Sequence, residues 1–146
     1  MHITFSEIEF NMDPKVTVLP QNRQPTLRLT PMPSDTNAAG DIFGGWMVSQ
    51  IDIAGSIAAY RRARCHVVTV AINSVQFHEP TFVGDLISCY ADVVKVGRTS
   101  LTVSVDVYAE RVSAQGLHVA KVTEATLTYV AIDENRQPKV VPPEIE

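Results

Sequence analysis

The stretch Asn37-Ala38-Ala39-Gly40-Asp41-Ile42-Phe43-Gly44-Gly45-Trp46 puts a carboxylate three residues ahead of a pair of glycines. Phe43, Trp46, Met47, Ile51, Ala54 and Ile57 recur at helical spacing, so both glycines fall in the first turn of a helix predicted over about Gly44 to Arg62. The first N–H groups of a helix have no partner within it, and the helix dipole adds positive character there. Glycines let another molecule approach those donors, at a loss of roughly 1 kcal/mol of helix stability each relative to alanine. A carboxylate beside such donors is the minimum needed to attack a thioester carbonyl and hold the oxyanion that forms. Asp41, Gly44 and Gly45, with Asn37 at the head of the stretch, are the candidate catalytic residues. Asp before a helix is also a common N-cap. That role explains Asp41 but not the glycines, which a purely structural helix start would do better without.

Other residue types that could do chemistry are set aside by spacing. Asp52 lies eleven residues beyond Asp41, about 16 Å along a helix, too far for a carboxylate dyad. It reads as a hydrogen-bonded polar residue of the helix. Ser49 and Ser56 have no histidine in a triad-like context. His2, His66, His78 and His118 show no metal-ligand spacing, neither cysteine belongs to a CxxC pair, and no metal or cofactor is expected. Cys89, inside an apolar strand pattern, reads as a small buried hydrophobe. Two cysteines are too few for a disulfide framework and point to a reducing, cytoplasmic setting. Thr69 could support the carboxylate or a bound water, or be an ordinary strand threonine. Phe43, Phe77 and Trp46 are core residues or walls of an acyl tunnel.

The elements that must position these residues follow from periodicity. Residues 1 to 25, with Pro14, Pro20 and Pro25, read as an N-terminal extension with one short strand near Val16 to Leu19. Thr26 to Thr30 is a first short strand, and Pro31 to Gly40 a loop. Val48, Ile53, Ala58 and Ala59 make the helix apolar on more than one face, so it is expected to be buried on several sides. Strands follow at Val67 to Phe77, Leu86 to Val96, Leu101 to Ala109 and His118 to Ile132. Gly97-Arg98 is expected to form a two-residue turn of type II′ with Gly in the first central position. The domain is thus residues 26–133, followed by a tail over 134–146 that is expected to be loosely held. One helix and about five antiparallel strands give an α+β class, and the compact arrangement curls the sheet around the helix as a hotdog. Its uncovered edges predict at least a dimer.

Composition limits the partners. The chain has 146 residues, 45% hydrophobic and 19% charged, a net charge of −4 and a pI of about 5.5. This suits one domain with a real core and gives no overall pull toward nucleic acid or an anionic membrane. The apolar stretches are strand-sized or broken, so no membrane span is expected, and Met1 to Phe5 lacks the pattern of a secretory signal.

The motifs then resemble a known family. Met32-Pro33-Ser34-Asp35-Thr36-Asn37 running into Gly40-Asp41-Ile42-Phe43-Gly44-Gly45-Trp46-Met47, then Ser49-Gln50 and Asp52, is similar to the YciA-type bacterial acyl-CoA thioesterases. The likeness continues through Val67 to Val70, Phe77 with Pro80, Val83-Gly84-Asp85, Lys95 to Ser100, Thr123-Glu124-Ala125 and Tyr129 to Ala131. The resemblance implies a hotdog enzyme that hydrolyses acyl-CoA, with Asp41 as general base or nucleophile and the amides around Gly44 and Gly45 as oxyanion hole. It also implies CoA held at a dimer interface, often in a trimer of dimers, with Gly97, Arg98, Thr99 and Ser100 near the CoA phosphates or pantetheine and Lys95 beside them. On spacing alone that hairpin is a turn with a solvated arginine. The Arg61 to His66 segment is more basic than the family pattern, and the pair His78-Glu79 is unusual in it. Two rival functions remain: a CoA-binding sensor without turnover, and a hotdog dehydratase, for which His78 is the only foothold.

Overall fold

The computed structural model of the chain describes residues 16–145, so most of the expected N-terminal extension, and the Met1 to Phe5 segment, lie outside the described residues. Strand β1 (Leu27–Leu29) leads through a 3-10 turn (Pro33–Asp35) to helix α1 (Gly44–Ala63). Four longer strands follow: β2 (Val67–Phe77), β3 (Leu86–Val96), β4 (Ser100–Ser113) and β5 (Gly116–Ala131). They form one antiparallel sheet in the order β1-β3-β4-β5-β2. This is the α+β arrangement of one helix against five strands that the element order predicts.

Alternation builds the core. On β4, Leu101, Val103, Val105, Val107 and Ala109 all point inward and are at most 2% exposed, which is the period-2 pattern of a half-buried strand. Val103, Val105, Val107 and Ala109 share one cluster with Ile87 and Cys89 from β3 and Val122, Leu127 and Tyr129 from β5, and Leu101 joins Ala63, Ala131 and Val141 in a second. Burial pushes the Cys89 thiol up to about 12, which fits its reading as an inert core residue. Both β4 and β5 run further than the apolar pattern reaches, because Ser113 still pairs with Gly116 across a tight, exposed hairpin. Two register shifts in β2, after Thr69 and after Ile72, bend that strand, as bulges do.

The helix touches the sheet along one stripe: Met47, Ile51, Ala54, Gly55, Ala59 and Ala63 are buried. In the single chain its other apolar residues are not enclosed, and Ile53 and Tyr60 remain nearly half exposed. Helix and sheet are pinned at one crossing. The Tyr129 hydroxyl lies 2.9 Å from the Asp52 carbonyl and 3.0 Å from Asp52 Oδ1, which also accepts from Thr69 Oγ1 at 2.8 Å. Burial, and then the Asp52 carboxylate, hold the Tyr129 hydroxyl well above its ordinary range. A Cβ on Gly55 would collide with that hydroxyl. Asp52 is therefore the hydrogen-bonded helix residue that the spacing predicts.

Three expectations are corrected. Residues 16–20 form no strand, having no neighbouring strand to pair with. The β3–β4 turn is centred on Arg98-Thr99, since the Gly97 N–H donates to the Ser100 carbonyl at 2.8 Å. No residue of that turn has positive φ, so it is not type II′; Gly97 is there for room, because a Cβ would sit 2.5 Å from Ser100 Oγ. The tail is not loose. Val141 is buried with Ala63, Leu101 and Ala131, its N–H bonds the Arg98 carbonyl, and the Arg62 and Arg64 guanidiniums bond the Pro142 and Pro143 carbonyls. Among the described residues no helix is long and apolar enough to cross a membrane.

Because Tyr129 crosses the helix at Gly55, Gly55→Ala should destabilise the fold by about 1–3 kcal/mol through overpacking, despite alanine's better helix propensity. Urea unfolding measures this, and an unchanged or raised midpoint would mean that the crossing is not tight.

Candidate active site

Asp41 is carried by a small closed loop. The Asn37 N–H donates to the Asp41 carbonyl at 2.8 Å, and Asn37 Oδ1 accepts from the N–H groups of Ala39 (2.9 Å) and Asp41 (3.1 Å). Asn side chains close turns in this way. Gly40 completes the turn with φ of +89°. On either side, Thr36 bridges Ile42, the Ile42 N–H bonds the Thr81 carbonyl, and the Phe43 N–H bonds the Asp35 carbonyl. Asn37 thus positions Asp41 with its carbonyl oxygen, and its amide nitrogen has no partner among the described residues.

The N-cap alternative for Asp41 does not hold. The residue at the cap is Phe43, and no side chain caps the helix. Trp46 and Met47 both donate back to the Phe43 carbonyl, whereas the N–H groups of Gly44 and Gly45 find no backbone acceptor among the described residues. A Cβ at Gly45 would meet nothing within 4 Å, and one at Gly44 would approach only the Phe77 ring, at 3.3 Å. The opening turn is therefore accessible from outside. The Asp41 carboxylate, partly exposed, likewise has no hydrogen-bond partner among the described residues.

These groups face a cavity of about 330 Å³ lined by Asn37, Asp41, Ile42, Phe43, Gly44, Met47, Phe77, His78, Glu79, Pro80, Thr81 and Thr123. Of the residues predicted from sequence, Asn37, Asp41, Phe43, Gly44 and Phe77 come together here, with Gly45 next in the same turn. Thr69, Lys95, Gly97, Arg98, Thr99 and Ser100 do not. Thr69 serves Asp52 instead of Asp41. The β3–β4 hairpin packs through the tail against the C-terminal end of α1, and twenty helical residues separate that end from Gly44 by about 30 Å.

The far wall is the β2–β3 connection, which the sequence reading left without a role. The N–H groups of His78 and Glu79 both bond the Val122 carbonyl, and His78 Nε2 lies 3.3 Å from Glu124 Oε1. Hydrogen bonding from the Lys121 ammonium holds the Glu124 carboxyl below the usual range. The connection ends in a clamp: Arg111 Nε and Nη2 each lie 2.7 Å from the carboxylate of Asp85, which is 1% exposed and also accepts the Phe82 N–H. The Arg111 guanidinium stacks 4.6 Å over the Phe82 ring, and its hydrogen bond to Asp85 raises it above its ordinary value. Val83-Gly84-Asp85 was visible as a motif, but its partner is a strand away. Among the described residues no group of three or more His, Cys, Asp or Glu side chains could hold a metal.

Removing the cation from this clamp leaves a buried carboxylate with one N–H donor. Arg111→Ala should therefore cost about 3–5 kcal/mol, read as a shifted denaturation midpoint. A loss below 1 kcal/mol would mean that water relieves Asp85.

Comparison with known proteins agrees with this geometry. Residues 39–114 match the thioesterase superfamily. The chain is 44% identical over 119 residues to acyl-CoA thioester hydrolase YciA of Escherichia coli K12, covering 81% of this chain and 90% of that one. It matches a hexameric hotdog fold thioesterase of Campylobacter jejuni at 47% identity, with a TM-score of 0.80 over 84% of this chain and 93% of that one. It also matches an aspartate-to-alanine mutant of a hexameric broad specificity acyl-coenzyme A thioesterase at 45% identity, with a TM-score of 0.79 over 82% of this chain and 87% of that one. A hydrogen-bonded aspartate loop beside an uncapped helix start, on a chain this similar over most of its length, leads to one conclusion: it belongs to the thioesterase superfamily, among the YciA-type acyl-CoA thioester hydrolases.

Proposed function

We propose that the chain hydrolyses acyl-CoA thioesters to a free carboxylic acid and CoA, with Asp41 as the reacting group of the protein. The observation that carries this is a carboxylate and a Gly44 N–H at one cavity, with the Gly45 N–H next in the same turn, none of them with a hydrogen-bond partner among the described residues. The thioester oxygen accepts from those amides, which lie at the positive end of the helix dipole. Asp41 then takes a proton from water as its oxygen attacks the carbonyl carbon. The C–S bond breaks as the oxyanion collapses, and the proton returns to the CoA thiolate. In the covalent variant Asp41 itself attacks, and water cleaves the mixed anhydride. His78, the one residue a dehydratase reading would use, is in the cavity but faces Glu124. The likeness to named hydrolases also weighs against that reading and against a sensor without turnover.

The working unit we propose is a dimer, assembled further as a trimer of dimers, in keeping with the hexameric relatives. Strand β2 is a sheet edge with Val70 54% and Ile72 46% exposed, the kind of edge that pairs with another strand. Antiparallel pairing of two such edges sets the Val67 end of one copy beside the Phe77 end of the other. The β3–β4 hairpin and the basic end of α1 in one copy then approach the Asp41 cavity of its mate. Lys95, Arg98, Thr99 and Ser100 would contact CoA in this way, across the interface. Two unpaired cysteines support a cytoplasmic setting.

Asp41→Ala should lower turnover of acyl-CoA by at least about 100-fold, the scale on which general acid–base groups act. Thiol release from a panel of acyl-CoAs measures it, and a folded variant with near-normal turnover would remove Asp41 from the reaction. Arg98→Ala should mainly raise KM; an unaltered KM would exclude the hairpin from CoA binding.

A further inference from the structure

We infer that Glu79 makes this site select against acyl groups that end in a negative charge, so that its substrates are acyl-CoAs with uncharged acyl chains. The inference rests on the reading of the Asp41 cavity as the thioester site. The charge inventory of that cavity is one-sided. Asp41 and Glu79 both line it, and among the described residues no lysine or arginine does. Glu79 is exposed on the wall between this cavity and a groove beneath residues 16–18, and its side chain has no hydrogen-bonded cation among the described residues.

Among the described residues the nearby arginine and lysine are already engaged. Arg111 feels the field of Glu79, but both arms of its guanidinium are held by Asp85. Lys121 is shared between Glu124 and Asp106 at 2.9 and 3.3 Å. His78 is drawn toward Glu124. An acyl chain with a terminal carboxylate would thus bring a third negative charge into a space already bounded by two, with no donor of positive charge to meet it. Repulsion between like charges is strongest where walls exclude water. The apolar lining supplied by Ile42, Phe43, Met47 and Phe77 suits a hydrocarbon chain instead.

The test compares butyryl-CoA with succinyl-CoA, two four-carbon acyl groups that differ in a terminal carboxylate and share the same CoA phosphates. Any effect on CoA binding therefore cancels in the ratio of their kcat/KM values. The full chain should favour butyryl-CoA by at least about tenfold, and added salt should narrow that preference as charges are screened. Glu79→Gln should reduce the ratio by about threefold or more, and Glu79→Lys by about tenfold, since the second change reverses the charge. Equal hydrolysis of the two substrates by the unaltered chain would overturn the inference, as would an unchanged ratio in both Glu79 variants. Unfolding midpoints of the variants, expected to match the parent because Glu79 is exposed, show that both are folded. Asp41→Ala separates the two levels. If it leaves both activities undiminished, the site reading falls. If it abolishes both while the Glu79 ratio stays fixed, only the charge filter falls.

Discussion

Helix α1 starts without a cap, and much of the molecule compensates for that. A side chain at the cap would satisfy the first N–H groups and stabilise the helix by about 1 kcal/mol. Here Phe43 stands at that place and two glycines follow it, so the opening turn gives up both capping and propensity. The helix is held further along instead, where Gly55 admits Tyr129 and Asp52 gathers the hydroxyls of Tyr129 and Thr69. Stability is supplied in the middle of the helix, and the amides at its start have no partner among the described residues.

The same division explains what could be read from sequence. The strands β2 and β3 were legible to the residue, because β-branched runs bounded by Pro80, Gly84 and Gly97 leave little choice of limits. The Asp41 loop was legible because its whole geometry is local: Asn37, Gly40 and Asp41 bond one another. On spacing, an N-cap role for Asp41 competed with catalysis, and the observed helix start, with Phe43 at the cap, removes the N-cap role. The opposite wall was not legible. His78, Glu79 and Thr81 reach the cavity through pairing with Val122 and Ile42, contacts between segments distant in the chain that no periodicity encodes. Thr69 could be read as a support for Asp41 or as an ordinary strand threonine; β2 runs from the helix end toward its start, so Thr69 meets Asp52 first. The β3–β4 turn was read one residue early, as Gly97-Arg98 where the structure centres it on Arg98-Thr99.

Electrostatics gives the cavity its character. Three segments contribute: a loop whose carboxylate has no partner among the described residues, a helix end with partial positive charge, and a connection whose Asp85 is locked to Arg111 of β4. The clamp fixes the connection by a short bidentate pair, so the wall bearing His78 and Glu79 is anchored at the end that enters β3. Such rigidity lets a few fixed dipoles act without reorganising.

The β3–β4 hairpin lacks the primed turn that matches strand twist, yet Val141 and Ala131 donate to the carbonyls of Arg98 and Thr99 and draw it tight. The C-terminal segment thus acts as a guy-rope on a cationic tip. A phosphate arriving there would find a surface already set in shape, and the entropy that a swinging loop must surrender on capture would have been surrendered during folding.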